Sequence, residues 1–122
     1  MIKLDEVTTG NICQVNIEGR LDANTCTEVE KYLQEKVDSG LTRFVLNLEK
    51  VPFIASAGLR VVLVYAKKLR QNDSGDLKLA LLQDNVKKVF EISGLNNFLS
   101  LFDDMESALD SFEEKNHTDN KQ

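Results

Sequence analysis

The spacing of apolar and polar residues changes along the chain, and these changes predict the order of strands and helices. Residues 2–5 and 13–18 alternate between apolar and polar side chains, with Cys13 and Ile17 on the apolar side of the second run, as in half-buried strands. The polar residues 8–11 between the two runs are typical of a hairpin turn. An antiparallel β-hairpin is therefore expected at the start of the chain.

After the hairpin, segments with helical spacing alternate with strand-like runs. Residues 25–28 fit a capping box at the start of a first helix, and Gly40 is suited to end it. Residues 43–48 are almost continuously apolar, which predicts a central strand covered on both faces. The next helix is expected to run from about residue 56 to 71, with an apolar stripe formed by Leu59, Val62, Leu63, Ala66 and Leu69.

The last third of the chain continues the alternation. Leucines alternate over 77–81 in a fourth strand, a short helix is expected to stop at Gly94, and residues 98–102 are typical of a last short strand. Asp103 or Asp104 can cap a final helix. Strands and helices that alternate after a hairpin predict an α/β fold, in which a mixed sheet of four to five strands packs against about four helices.

Length and composition restrict the number of domains and the kinds of partner. The chain has 122 residues, of which 42% are hydrophobic, enough to bury one core. We assign this domain to residues 1–114 and a disordered polar tail to residues 115–122. A net charge of −5 argues against nucleic-acid and membrane partners. Since the N-terminus lacks a signal-peptide pattern, we expect a cytoplasmic protein, and we take a monomer as the default. In a reducing compartment, Cys13 and Cys26 are expected to be small apolar side chains rather than a disulfide.

Ser56 is the strongest candidate for chemistry because it falls where an apolar strand gives way to a long helix. The first N–H groups of a helix lack intrahelical partners and lie at the positive end of the helix dipole. A phosphate is well tolerated at such a place. From spacing alone, a plain N-cap is the favoured explanation of the serine, and the phosphate acceptor stays open beside it at this point.

The sequence lacks the complete motifs of common enzymes. Residues 54–58 match half of the G-x-S-x-G nucleophile elbow, but Ile54 replaces the first glycine. The sole histidine, His117, lies in the polar tail, whereas a serine hydrolase needs a held imidazole beside the nucleophile. The chain contains neither GxxxxGK[ST] nor GxGxxG, and two cysteines and one histidine do not suggest a zinc site. We predict a protein that is not an enzyme and needs no cofactor.

Five short motifs, in the right order from about residue 2 to 112, resemble those of the STAS domain, the fold of bacterial anti-sigma-factor antagonists. The first is a glycine–x–leucine–aspartate turn at residues 19–22, followed by an apolar strand at 46–48 and a switch motif around the serine at 54–60. The last two are a late helix with its glycine at 89–95 and the start of a last helix at 106–109.

The resemblance is residue-specific at the switch motif. In that family the switch serine usually follows an aspartate and precedes a second hydroxyl residue and then a glycine. Ser56 and Gly58 fall on the serine and the glycine, whereas Ala55 and Ala57 replace the aspartate and the second hydroxyl. Asn47 replaces another usual aspartate, in the strand before the motif. These replacements affect the residues that a kinase would recognise, but the phosphate acceptor, the Ser56 hydroxyl, is retained.

The resemblance implies a partner switch. Unmodified protein would bind an anti-sigma factor that is itself a serine kinase, with ATP bound by that partner, and would thereby release a sigma factor. Phosphorylation of Ser56 would separate the complex, and a phosphatase would reverse it. The implied partner surface comprises Asp22, Asn24, Ala55, Ala57, Gly58, Leu59 and Arg60. Both loops that carry these residues follow strands, so they are expected at one end of the sheet.

Two other functions and several structural explanations remain open. A STAS interaction module that is never phosphorylated, acting as a scaffold or as a subunit of a signalling or transport complex, is favoured by the loss of the aspartate at Ala55. A small-ligand module would use the helix N-terminus, but no phosphate-gripping lysine or glycine run supports it. Asp22 and Asn24 also suit helix caps, Gly58 close packing, and Arg60 a solvated helix position.

Overall fold

A hairpin followed by alternating strands and helices forms the fold, as predicted. The computed structural model describes the chain from Ile2 to Asn120 and its side chains as far as Phe112. Within these residues the elements are β1 (Lys3–Thr9), β2 (Ile12–Glu18), α1 (Cys26–Asp38), β3 (Arg43–Lys50), α2 (Ser56–Leu69), β4 (Asp76–Ala80), α3 (Asp84–Ile92), β5 (Leu101–Phe102) and α4 (Met105–Asn120).

The sheet is mixed, and its strands lie in the order β1-β2-β3-β4-β5. Only the hairpin pair β1–β2 is antiparallel, and the remaining neighbours in the described sheet are parallel. The hairpin closes at Thr9 and Ile12 through a two-residue turn, in which Gly10 has a φ of 61°. Two-residue hairpin turns need such positive φ values. Strand β1 is longer than predicted because its pairing with β2 continues up to this turn.

The larger core lies between one face of the sheet and helices α1, α2 and α3. Helix α1 contributes Val29 and Leu33, two members of its apolar stripe. The sheet contributes alternate residues of β2 and β3, which are fully or almost fully buried: Cys13, Val15, Ile17, Phe44, Leu46 and Leu48. Cys13 is thus a small core residue as predicted, Cys26 is partly exposed, and both are free thiols.

The buried stripe of α2 is turned relative to the prediction. Leu59 and Leu63 are partly exposed, and Tyr65, absent from the predicted stripe, is only 3% exposed. Its hydroxyl donates a hydrogen bond to Gln34 Oε1 on α1 at 2.7 Å, which satisfies the polar tip of a buried ring. Three predicted residues are buried: Val62, Ala66 and Leu69.

Helix α4 covers part of the opposite face of the sheet. Its Phe112 packs in a second, smaller apolar cluster with Val45 of β3. Two cations of the sheet, Arg43 and Lys78, are buried beside this ring, with their charged groups 5.6 and 4.1 Å from its centroid. Lys78 Nζ also donates to Ser111 Oγ at 2.6 Å. Strand β4, in which the leucines alternate as predicted, is therefore buried on both faces.

The C-terminal part differs in detail from the prediction. A 3₁₀ turn, Leu95–Asn97, precedes β5, which covers only the end of the predicted strand 98–102. Asp104 Oδ1 accepts the Ser107 N–H at 2.7 Å, so Asp104 caps α4 as one of the two expected residues. The helical backbone of α4 extends into the segment 115–122, whose side chains lie outside the described part of the structure, and the disordered polar tail stays a prediction.

No helix among the described residues has both the length and the apolar character needed to cross a membrane.

Candidate functional site

Two loops meet at the edge of the sheet formed by the carboxyl ends of the parallel strands. The loop after β2 runs beside the loop after β3, and Leu21 and Ile54 form an isolated parallel bridge. The Leu21 N–H donates to the Phe53 carbonyl at 2.9 Å, and the Ala55 N–H donates to the Leu21 carbonyl at 2.8 Å. This short ladder brings the predicted loops together, as expected for loops that follow neighbouring strands.

Side chains on this ladder alternate between the core and the solvent, as they do along strands. Leu21 and Ile54 point inward and are 2% and 3% exposed. Arg20 and Phe53 point outward, and the Arg20 guanidinium carbon lies 4.3 Å from the centroid of the Phe53 ring. The same register places Asp22 beside Ala55, so the outer side of the ladder carries an arginine–phenylalanine pair and one carboxylate.

Asp22 closes the loop that leads into α1. Its Oδ1 accepts the N–H groups of Asn24 and Thr25 at 3.0 and 3.2 Å. The Thr25 hydroxyl donates to the Arg20 carbonyl at 2.6 Å and accepts the Asp22 N–H at 3.0 Å. The predicted capping box at residues 25–28 is therefore wrong, because the Thr25 side chain and its N–H already bond to the preceding loop. Asp22 instead holds the turn that leads into α1, whose N-cap residue Thr25 has no side-chain cap bond.

Opposing influences act on the Asp22 carboxyl group. Partial desolvation works to raise its pKa, but the N–H groups of Asn24 and Thr25, the Thr25 hydroxyl and the charge of Arg20 outweigh it, so the pKa lies below the ordinary value. Hydrogen bonds to the charged form lower a carboxyl pKa in this way. Asp22 is thus ionised at neutral pH, and its Oδ1 is engaged by the backbone.

The start of α2 is open. Ala55 is the N-cap residue, with φ −100° and ψ 175°, and its methyl group cannot accept a hydrogen bond. The Ala55 carbonyl accepts the N–H groups of Gly58 and Leu59 at 2.9 and 3.1 Å. Within the described residues, the N–H groups of Ser56 and Ala57 have no acceptor and the Ser56 hydroxyl has no partner. Ser56 is exposed and occupies the first helical position, so the N-cap interpretation of this serine is wrong.

Gly58 lets α2 approach the ladder closely. It is buried, and a Cβ atom at this position would lie 2.8 Å from Ile54 Cγ1, 3.1 Å from Leu21 Cβ and 3.2 Å from the Leu21 carbonyl oxygen. A contact under 3 Å between carbon atoms would force a rearrangement. Gly58 therefore permits close packing of α2 against the ladder, the structural role foreseen for it. The same packing sets the position of Ser56 relative to the loop of Asp22.

The remaining residues of the predicted partner surface are accessible in different degrees. Asn24 and Arg60 are exposed, whereas Asp22, Ala55, Ala57 and Leu59 are partly exposed. Of the seven predicted residues, Gly58 alone is buried. A partner could therefore contact this edge of the sheet through the loop of Asp22 and the first turn of α2 together.

The charge of this surface differs from that of the chain as a whole. The first turn of α2 contains no acidic residue, Arg60 follows one turn later, and the Arg20 side chain is 61% exposed. A helix N-terminus adds partial positive charge. Even with the Asp22 carboxylate counted, the surface around Ser56 is less acidic than the chain as a whole, whose net charge is −5. Sequence reasoning missed Arg20 and Phe53, although an arginine inside the glycine–x–leucine–aspartate turn was a visible signal.

Asn47 does not join this surface. Its Nδ2 donates to Asn16 Oδ1 at 2.9 Å, and Asn16 Nδ2 donates to Asp5 Oδ1 at 2.8 Å. These side chains form a polar row across β3, β2 and β1 and line an open depression of about 690 Å³ on the sheet. Among the described residues, no group of three or more histidine, cysteine, aspartate or glutamate side chains could hold a metal ion.

Comparison with known proteins assigns the chain to a family. A family model for the STAS domain matches residues 3–108, and the chain belongs to this family of anti-sigma-factor antagonists. BtrV of Bordetella bronchiseptica, named as an anti-sigma factor antagonist, is 45% identical over 86 residues, which are 70% of this chain and 71% of BtrV. The anti-sigma-B factor antagonist of Staphylococcus aureus is 30% identical over 98 residues, which are 80% of this chain and 90% of that protein.

Solved structures share the fold. An anti-sigma factor antagonist from Mycobacterium paratuberculosis superimposes with a TM-score of 0.84 at 18% identity, over 93% of this chain and 95% of that one. Unphosphorylated SpoIIAA, an anti-sigma factor antagonist, gives a TM-score of 0.76 at 23% identity, over 93% of this chain and 97% of SpoIIAA. The Bacillus protein SpoIIAA in its phosphorylated form gives 0.68 at 23% identity, over 91% and 98%. These likenesses confirm the predicted single STAS fold with a mixed sheet.

Proposed function

We propose that this protein binds an anti-sigma factor that is a serine kinase, releases a sigma factor by doing so, and is switched off by phosphorylation of Ser56. The observation that carries the proposal is the open start of α2, where an exposed hydroxyl lies beside the N–H groups of Ser56 and Ala57. Membership of a family of regulatory binding proteins supports it, as does the existence of SpoIIAA in unphosphorylated and phosphorylated forms.

The charge of a phosphate explains how one modification could act as a switch. Phosphorylation adds about −1.5 to −2 charges at neutral pH. The helix N-terminus favours this charge by roughly 0.3–1 kcal/mol, so the protein itself tolerates it. An uncompensated charge buried at an interface costs roughly 3–5 kcal/mol, which is about a hundredfold or more in affinity. The complex would therefore separate without a change in the fold.

The replacement of the usual aspartate by Ala55 leaves the acceptor intact. The side chain of residue 55 lies on the ladder, whereas the hydroxyl that would receive the phosphate belongs to Ser56. A kinase that modifies this protein would have to recognise other features of the surface, which include Arg60 and the loop of Asp22. In this proposal the protein acts as a cytoplasmic monomer. A phosphatase removes the phosphate from Ser56, and only the kinase binds ATP.

Incubation with the candidate anti-sigma kinases of the host and ATP, followed by mass spectrometry, tests the proposal. We expect one phosphate, on Ser56, and none in Ser56→Ala. Ser74→Ala is the matched control, because Ser74 is an exposed serine at the opposite edge of the sheet and its loss should leave phosphorylation unchanged. Binding by none of the kinases would contradict the proposal, as would phosphate at other serines only.

A second function is favoured by one observation, the missing carboxylate at Ala55. In this alternative the protein is a STAS interaction module that binds its partner without being phosphorylated. The same incubation separates the two functions: a stable complex in which Ser56 stays unmodified after prolonged exposure to ATP supports the alternative.

A further inference from the structure

The Arg20–Phe53 pair lies on the outer side of the ladder that leads to Ser56. Leu21 and Ile54 anchor the ladder in the core, so the residue before each of them is fixed in position. The arginine side chain is 61% exposed and Phe53 is 36% exposed. An aromatic ring with this exposure, covered by a guanidinium group at 4.3 Å, is held in place but still accessible to a partner.

The charge of Arg20 is only loosely balanced within the protein. The nearest carboxylate oxygen, Asp22 Oδ2, is 3.8 Å from Arg20 Nε, which is too long for a hydrogen bond, and the other oxygen of Asp22 accepts two backbone N–H groups. By contrast, Arg70 stacks on Phe98 at 4.4 Å and also bonds to Asp76 Oδ1 at 2.7 Å. Among the described residues, the guanidinium group of Arg20 therefore makes no hydrogen bond, and its side chain is 61% exposed.

We propose that Arg20, held on Phe53, is a specificity-determining residue of the partner surface and binds a carboxylate on the partner protein. The inference rests on the proposed function and names the chemistry of its partner. A guanidinium group presents its donors in a planar fork that matches a carboxylate and stacks on aromatic rings. Arginine and aromatic residues are also enriched among the residues that dominate binding energy.

The local charge favours an acidic partner. Arg20, Arg60 and the N-terminus of α2 together outweigh the Asp22 carboxylate on this surface, although the chain has a net charge of −5. Complementary charges accelerate association and select partners. Because Phe53 already restricts the Arg20 side chain, less conformational entropy is lost on binding. A phosphate on Ser56 would reverse the charge of this surface and repel the same carboxylate, so Arg20 would sharpen the response to phosphorylation.

Affinity and association rate, measured by surface plasmon resonance with the unmodified protein and its kinase at low and high salt, test this inference. We expect Arg20→Gln to weaken binding about tenfold to thirtyfold and to flatten the salt dependence of the association rate. Arg20→Lys keeps the charge but not the fork, so it should recover only part of the affinity. Phe53→Leu, which removes the ring face but keeps an apolar side chain, should weaken binding less than Arg20→Gln.

Lys67→Gln is the matched control, because it removes the same charge from an exposed position in the last turn of α2. It should bind within about twofold of the wild type, as expected for a remote rim charge. Circular dichroism melting should show that Arg20→Gln folds normally, since its backbone bonds are retained.

The outcomes separate the two proposals. If Arg20→Gln binds like the wild type while Ser56→Glu does not bind, the role of Arg20 is wrong and the switch stands. If the wild type binds no anti-sigma kinase, the proposed function fails and the role of Arg20 fails with it. If Arg20→Gln weakens binding only to the ATP-loaded kinase and not to the ADP-loaded one, the arginine contacts a nucleotide phosphate, and the carboxylate assignment is overturned.

Discussion

Helices α1 and α2 begin side by side at the same edge of the sheet, yet their N-termini are built differently. At α1, Asp22 accepts two backbone N–H groups and the Thr25 hydroxyl bonds to the loop in both directions. At α2, the cap residue is Ala55, and in the described structure the N–H groups of Ser56 and Ala57 find no acceptor.

The N–H groups of the turn before α1 hold the loop in place, whereas those at the start of α2 are available to a phosphate or a partner. Neither N-cap residue has a side-chain cap bond, but Asp22 accepts two N–H groups of the turn that leads into α1. The start of α2 has no such acceptor and forgoes a stabilisation of about 1 kcal/mol. Packing compensates, because α2 is anchored through Gly58 against Leu21 and Ile54. The open N-terminus thus belongs to a helix that is rigidly placed, which is what a surface for a phosphate or a partner requires.

The largest expected effect comes from placing a permanent negative charge at the open start. Ser56→Glu should reduce the affinity for the anti-sigma kinase about a hundredfold or more, because an unpaired charge would be buried in the complex. Ser56→Gln is the control of similar size without charge, and isothermal titration calorimetry measures both. Equal affinities for the two variants would contradict a charge-controlled surface.

Disturbing the anchor of α2 should give the next largest effect. Gly58→Val would place methyl groups against Ile54 and the Leu21 carbonyl, and overpacking of this kind costs about 1–3 kcal/mol. Ala57→Val, at a partly exposed neighbouring position, should lose only helix propensity, at most about 0.7 kcal/mol. Urea unfolding measures both free energies. A Gly58→Val protein as stable as Ala57→Val would show that the close approach is not needed.

A side chain at residue 55 that accepts the Ala57 N–H should stabilise the protein, and this N–H would then be unavailable to a phosphate or a partner. Ala55→Asp supplies a side-chain acceptor for the Ala57 N–H, with an expected gain of about 0.5–1 kcal/mol. Thermal melting should show a raised Tm, and Ala55→Ser should do the same without adding charge. The carboxylate would also lie beside Asp22 and lower the positive charge of the surface, so only Ala55→Asp should slow association with an acidic partner. A lower Tm for both variants would mean that α2 is not open at this position.

The smallest expected effect tests the closed start of α1 and depends on pH. The pKa of Asp22 is lower in the folded protein than its ordinary value, so its charge contributes stability that is present above about pH 4 and is lost as the pH falls through the folded pKa. Asp22→Asn keeps an oxygen acceptor but loses the charge. Its Tm should be slightly below that of the wild type at pH 7, and the difference should shrink in acid.

Asp73→Asn is the matched control for this last prediction, because it removes one negative charge from an exposed turn. A Tm difference between Asp22→Asn and the wild type that stays constant from pH 7 to pH 3 would argue against an ionised cap at Asp22.

Local pattern predicted the order of elements, but it could not predict which contacts form between distant segments. The continuous apolar run of β3 indicated a central strand because both faces of that strand are buried. Strand β4 has the alternating pattern of a half-buried strand, but the Lys78 between its leucines is buried beside Phe112 of α4 and Phe102 of β5. Tyr65 was missed for a similar reason, because its hydroxyl finds Gln34 on another helix.

The candidate site shows the same division. The strand-to-helix joint and the switch motif placed Ser56 correctly at the start of α2, since both depend on neighbouring residues. A capping box at the start of α1 was predicted from residues 25–28, whereas the Thr25 N–H that Glu28 would have accepted is bound by Asp22, three residues upstream. The Arg20–Phe53 contact depends on the ladder between two loops, and residue spacing within either loop does not reveal it.

Helix α4 has a consequence for synthesis on the ribosome. Strands β3 and β4 leave the exit tunnel well before α4, so the face that α4 covers is open while the nascent chain grows. Apolar strands in this state are prone to aggregate, and charged residues beside them act as gatekeepers. Arg43 and Lys78 lie on that face beside Val45, so we expect the two cations to disfavour aggregation of the unfinished sheet until Phe112 covers them.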